Sequence, residues 1–166
     1  MASTNEYTVP GLALTKGRGV ADELQHRLHA LNDLHLTLKH AHWNVTGPNF
    51  IAVHEMLDPQ IELVRGYADE LAERIATLGA SPIGTPGALV KDRTWDDYAV
   101  GLGNTLEHLR AIDAVYTGVI EDHRKAIAEV SDVDPITEDI LIGQTAELEK
   151  FQWFVRAHLD TRGAQS

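Results

Sequence analysis

Cysteine is absent from this chain, which excludes disulfides, thiolate metal sites and thiol redox centres. That absence is compatible with a reducing compartment. Long apolar runs are missing as well. No stretch approaches the ~20 residues that a membrane span needs, and residues 1–10 carry neither the basic start nor the apolar run of a signal peptide. The chain is therefore expected to be soluble, cytoplasmic and without a membrane partner. Basic residues are scarce: 14 Lys and Arg face 25 Asp and Glu, a formal charge of −11. Such a balance argues against a nucleic-acid surface spread over the fold and suits a protein that attracts cations. The same acidity also serves plain solubility. Sustained β alternation is lacking too, so the expected class is all-α.

What the chain does contain is helical periodicity, in four long segments separated by Gly and Pro. The first runs from about Val20 to Val45, with Leu24, Leu28, Leu31, His35, Leu38 and His42 on one face. Gly47-Pro48 stops it. The second starts near Asn49, a candidate N-cap, and runs to Leu78 before Gly79. Pro59 interrupts it, so either Asp58 caps a fresh helix or one helix continues with a kink. Residues 79–95 form a Gly/Pro-rich connection in which Thr85-Pro86 opens a short helix. The third long helix is expected from Thr94 or Tyr98 to Val130, weakened by Gly101 and Gly103. Asp134-Pro135 opens the fourth, which should end near Thr161-Arg162-Gly163. Four helices with one long crossover between the second and third imply a four-helix bundle of ferritin-like topology. The expected layout is a tail over 1–19, the bundle over 20–162 and a short tail over 163–166.

Candidate chemistry is concentrated around one turn. His42 closes the first helix, and His54 and Asp58 follow in His54-Glu-Met-Leu-Asp58. Imidazole and carboxylate together suit iron or zinc, and open positions on such a site permit redox chemistry. His54 and Asp58 share a helical face at i, i+4, as do Asp69 and Glu73. With His54 at zero, ~100° per residue places Asp58 near ~40°, Asp69 near ~60° and Glu73 near ~100°. All four project from one side. Yet Asp58 and Asp69 lie roughly 16 Å apart along the axis at ~1.5 Å per residue, too far to share an ion within one chain. Two copies packed antiparallel about a two-fold axis would bring His42, His54 and Asp58 of one opposite Asp69 and Glu73 of the other. His40 is about 200° from His42 around the helix and cannot share its ion. His26, His29, His108, His123 and His158 have no acidic partners in pattern and are read as surface or core polar groups. Within one chain, His54 and Asp58 could alternatively hold zinc with Glu55 as base, a near match to a zinc protease motif whose last position is Asp58 instead of histidine.

Taken together, Lys39-His-Ala-His-Trp-Asn44, His54-Glu-Met-Leu-Asp58, Asp69-Glu-Leu-Ala-Glu-Arg74, Arg124-Lys-Ala-Ile127 and Glu149-Lys-Phe-Gln-Trp-Phe154 strongly resemble the Dps family, the mini-ferritins. The resemblance covers nearly the whole chain. It implies a hollow homododecamer with ferroxidase sites at two-fold interfaces, where Fe(II) is oxidised, preferably by hydrogen peroxide, and stored as ferric mineral. In that pattern His42, His54 and Asp58 match ligands from one subunit, and Asp69 and Glu73 those from its neighbour. Trp43 could donate an electron to quench an oxidising intermediate, or simply fill the interface. Lys39 is either a partner to a carboxylate ligand or a surface lysine. Asp134, Glu138 and Asp139 match the region of a three-fold iron-entry channel, with Gly143 where some members carry another acid. Zinc could occupy the same ligands as a competitor.

The resemblance also raises DNA binding, which in that family usually relies on basic tails. Here residues 1–19 hold Lys16 and Arg18 against Glu6, and residues 160–166 hold Arg162 against Asp160. Twelve copies at −11 each would repel DNA, so binding is expected to be weak or absent at physiological salt. Were DNA bound, the protein would be nucleoid-associated. Two other functions compete with iron storage: a DNA-protecting architectural protein without catalysis, and a metal-dependent amide or ester hydrolase built on the same open site.

Overall fold

The computed structural model describes residues 7–161. It holds four long helices, one short helix and a two-residue strand pair, in the order α1 Leu14–Asn44, β1 Val45–Thr46, α2 Phe50–Thr77, α3 Pro86–Asp92, β2 Gly103–Asn104, α4 Thr105–Val130 and α5 Pro135–Leu159. The all-α four-helix bundle with a short helix in the long crossover is as the periodicity implies.

Apolar stripes explain the packing. Leu24, Leu28, Leu31, Leu34 and Leu38 on α1 meet Val53, Leu57, Ile61, Val64, Leu71 and Ile75 on α2. Leu109, Ile112, Tyr116 and Ile120 on α4 meet Leu141, Leu148, Phe151 and Val155 on α5. Burying each such side chain contributes about 1.5–3 kcal/mol, which holds helices whose own propensity would not suffice. α1 also packs on α4, and α5 touches α2, so the four close into one core.

Pro59 does not divide the second segment. One helix runs through it from Phe50 to Thr77, because Val53 and Leu57 before it and Ile61 and Val64 after it are buried on the same core face. The helical-wheel arithmetic from His54 to Glu73 therefore holds across the proline. Asn49 does occupy the N-cap position, but in the left-handed region (φ 62°) and without a capping side-chain bond. It and Gly47 (φ 86°) bend the chain through the tight turn.

Three boundaries differ from the sequence expectation. α1 begins at Leu14, not Val20, so Lys16 and Arg18 stand on a helix instead of in a tail. α4 begins at Thr105, well after Thr94 or Tyr98. Gly101 and Gly103 break the helix there, and a capping box fixes its start. The Glu107 backbone N–H donates to the Asn104 side chain at 3.0 Å, and the Asn104 N–H donates to the Glu107 carboxylate at 2.8 Å. α5 ends at Leu159, before Thr161. The expected C-terminal tail, 163–166, lies outside the described residues, as do residues 1–6 of the expected N-terminal one.

The crossover is tied down along its length. Gln25 exchanges two hydrogen bonds with the Ile83 backbone at 2.8 and 2.9 Å. Asp33 takes the Trp95 indole N–H at 2.7 Å and pairs with Arg93 at 3.3 Å. His40 Nε2–H donates to the Val100 carbonyl at 2.8 Å. β1 and β2 then pair in parallel, Val45 with Gly103 and Thr46 with Asn104. This join fastens the end of the crossover to the turn between α1 and α2.

Candidate metal centre

The α1–α2 turn folds α2 back along α1 and brings His42, in the last turn of α1, beside His54, in the second turn of α2. Their rings stack with centroids 3.7 Å apart and planes 22° from parallel. Each imidazole bonds the other residue's backbone: His42 Nδ1 to the His54 carbonyl at 3.0 Å, and His54 Nδ1 to the His42 carbonyl at 2.9 Å. A carbonyl only accepts, so Nδ1 carries the proton on both rings and Nε2 is left with the lone pair. Hydrogen bonds of this kind orient a histidine and fix its tautomer before any metal arrives.

Asp58 completes the group one helical turn beyond His54. Among the described residues, His42, His54 and Asp58 form the one set of three such side chains with donor atoms converging within 4.8 Å. Burial falls outward, from buried His42 through half-buried His54 to exposed Asp58. The set therefore opens to the surface. Three donors with an open side leave coordination positions for further ligands or for a small oxidant. Asp58 Oδ1 also lies 3.4 Å from His42 Nδ1 and 3.3 Å from Lys39 Nζ. Lys39 Nζ in turn stands 6.0 Å from the centre of the Trp43 ring system, whose residue is 70 % exposed.

Asp69 and Glu73 are exposed on α2 and do not join this set within the chain. Their neighbours are engaged: Glu70 accepts from Gln144 at 2.8 Å, and Arg74 donates to Asp134 at 2.6 Å. Among the described residues, neither Asp69 nor Glu73 forms an ion pair.

The three acids singled out near α5 behave differently from one another. Asp139 is exposed and Glu138 half-buried, whereas Asp134 is buried. Burial alone would raise the Asp134 carboxyl. Hydrogen bonds from Thr137, at 2.5 Å, and from Arg74 outweigh burial and hold it below the ordinary carboxylate range. Within the chain, the charge of Asp134 is therefore already matched by Arg74 inside the fold.

The histidines read from the sequence as surface or core polar groups divide between the two settings. His29, His108 and His123 are buried, and His26 and His158 are exposed. Burial, with Arg27 nearby, pushes His123 down to about 4. His35, half-buried, is also held below its usual value by desolvation. Sequence reasoning missed the support behind the turn. Thr46 Oγ1–H donates to the Gly103 carbonyl at 2.9 Å, and Thr105 Oγ1–H donates to the Pro48 carbonyl at 3.2 Å. A Cβ at Gly103 would crowd the Val100 side chain at 2.9 Å, so a larger residue there requires a shift. The one available signal was Gly103-Asn104 preceding a Glu three residues on, a capping pattern.

Residues 21–163 match the family model for a ferritin-like domain. The chain is 65% identical over 159 residues to a DNA protection during starvation protein of Mycolicibacterium smegmatis, spanning 96% of this chain and 87% of that one. Among solved structures, Mycobacterium smegmatis Dps in a tetragonal form superposes with a TM-score of 0.94 at 64% identity, covering 95% of this chain and 96% of that one. DpsA14 from Streptomyces coelicolor superposes with a TM-score of 0.95 at 58% identity, covering 98% and 97%. No described helix is long and apolar enough to cross a membrane. With the ferritin-like bundle, the split ligand motifs and these relatives in agreement, the chain belongs to the Dps family of mini-ferritins.

Proposed function

We propose that this protein is a ferroxidase and iron store. The observation that carries the reading is the convergence of His42, His54 and Asp58 donor atoms within 4.8 Å, with both rings fixed through Nδ1 and the open side facing outward. Iron is the substrate. Asp69 and Glu73 of a second copy complete the site across a two-fold interface, which explains two exposed acids without ion pairs on the same helix. Each such interface holds two equivalent sites, and the assembly is a hollow homododecamer.

Carboxylate ligands stabilise Fe(III) over Fe(II) and so favour oxidation. With hydrogen peroxide as oxidant, two Fe(II) each give up one electron, the O–O bond breaks, and two protons are taken up to make two waters. Trp43, adjoining His42 and exposed in the single chain, fills the interface and is placed to supply an electron to a stray oxidant. Glu138 and Asp139 are the acids left to draw iron inward, since Arg74 matches the charge of Asp134 within the chain. Zinc occupies the same ligands and acts as an inhibitor.

The relatives are named for protection of DNA during starvation, which consumption of iron and peroxide would serve without coating the DNA. The net charge of −11 per chain opposes contact with phosphates, and Lys16 and Arg18 are on α1 and lack the reach of a tail. DNA retardation at physiological salt should be weak or absent.

The direct test is the anaerobic loss of Fe(II) after peroxide addition, comparing wild type with Asp58→Ala/Glu73→Ala at equal assembled size. A fast reaction lost in the variant supports the interface site. Equal rates, or none above buffer, would sink it.

A further inference from the structure

The Asp58 carboxylate oxygen beside His42 is already engaged. Asp58 Oδ1 has the Lys39 ammonium 3.3 Å away, and the same oxygen lies 3.4 Å from His42 Nδ1. His42 Nδ1–H is spent on the His54 carbonyl, so Lys39 is the charged partner of Asp58. Lys39 also has a second place to rest. It lies 6.0 Å from the centre of the Trp43 rings, at the limit of a cation–π contact, and Trp43 is four residues on along the same helix. In the single chain the Lys39 and Asp58 side chains are 31% and 52% exposed, so water reaches the pair.

We propose that Lys39 is a built-in competitor for the metal site: it neutralises Asp58 until a divalent cation arrives, then leaves the carboxylate for the face of Trp43. This role rests on the metal-site reading above. Its consequence is selectivity by charge. A monovalent ion that displaces Lys39 exchanges one unit of charge for another and gains nothing electrostatically. A divalent ion gains from its second charge and from the two Nε2 lone pairs. Lys39 therefore keeps sodium and potassium off Asp58 at the cost of some divalent affinity. Because the lysine is tethered, dilution does not weaken its competition, whereas salt does so by screening the exposed pair.

The test is Co²⁺ titration of the assembled protein, followed by the visible absorption of bound Co²⁺, at low and high NaCl. Lys39→Met keeps the stem and removes the charge, and Lys39→Arg keeps the charge. An exposed ion pair weighs little, so Lys39→Met should bind Co²⁺ only about fivefold tighter than wild type at low salt. That advantage should shrink as NaCl rises, while Lys39→Arg stays near wild type. A purely structural lysine gives no such salt-dependent convergence. If wild type binds Co²⁺ and Lys39→Met binds no tighter, or if its advantage ignores salt, the competitor role is overturned and the metal site stands. If no form binds Co²⁺, both fall together.

Discussion

The two ends of α2 carry the same kind of group under opposite conditions. Near its start, Asp58 is exposed and paired with a flexible lysine 3.3 Å away. At its end, Arg74 reaches Asp134, whose side chain is 7% exposed, at 2.6 Å. The guanidinium also donates to Thr137 at 3.0 Å, and Thr137 in turn donates to Asp134. The first pair is held by one contact and stays open to water. The second is held by several hydrogen bonds out of water. Burial with complete partners makes a charge part of the scaffold; exposure with an exchangeable partner leaves it free for a ligand.

Removing one partner from the buried end should have the largest effect. Arg74→Met leaves Asp134 unpaired inside the fold and should cost about 3–5 kcal/mol in urea unfolding at neutral pH. A loss under ~1 kcal/mol would mean that Asp134 is better solvated than its burial suggests. Its carboxyl is held low in the fold. Its stabilising contribution is therefore full above the ordinary carboxylate range and is lost as pH falls through that lower folded value.

The interior histidine sharpens the same point on a milder scale. His123 sits at about 4 in the fold against 6.5 for the free side chain. The unfolded chain thus binds the extra proton first, and stability should fall as pH drops from about 6.5 to about 4. The full shift corresponds to about 3 kcal/mol. Unfolding measured across that window in His123→Gln should show a shallower slope; an unchanged slope would assign the loss to other groups.

At the open end the cost should move from folding to metal. Asp58→Ala should weaken Co²⁺ binding and slow peroxide-driven Fe(II) oxidation by about tenfold or more. Its stability should stay within about 0.5 kcal/mol of wild type, as for an ordinary surface position. A variant that lost stability and kept metal binding would reverse the contrast. Gly103→Ala lies between the two behaviours. The added methyl presses on Val100 and on the strap behind the α1–α2 turn, and should cost about 1–3 kcal/mol with a smaller loss of metal affinity.

Much of this was legible in the residues. The leucine spacing on α1 announces a buried stripe, and the i, i+4 pairs on α2 announce a shared face. Gly47-Pro48 and Asp134-Pro135 mark boundaries where the structure has them. Other features were not legible for definite reasons. Whether Pro59 breaks α2 depends on core contacts on both sides of it, which no local rule contains. The start of α1 at Leu14 was missed because Gly17 and Gly19 lower helix propensity. Gly17 is buried against Thr8, however, and tertiary contact overrides propensity. Asp134 looked like Glu138 and Asp139 because Arg74, its partner, lies 60 positions away.

The sequence by itself determined the helices, the order in which they pack and the residue types that can hold a metal, because periodicity and ligand chemistry are local properties. Only the tertiary structure decided which acids are free. It placed Asp58 beside two histidines whose rings are held through Nδ1, left Asp69 and Glu73 on an open helix face, and enclosed Asp134 with Arg74. The charge of each carboxylate is written in the chain, but its availability depends on which partners and how much water the fold puts next to it.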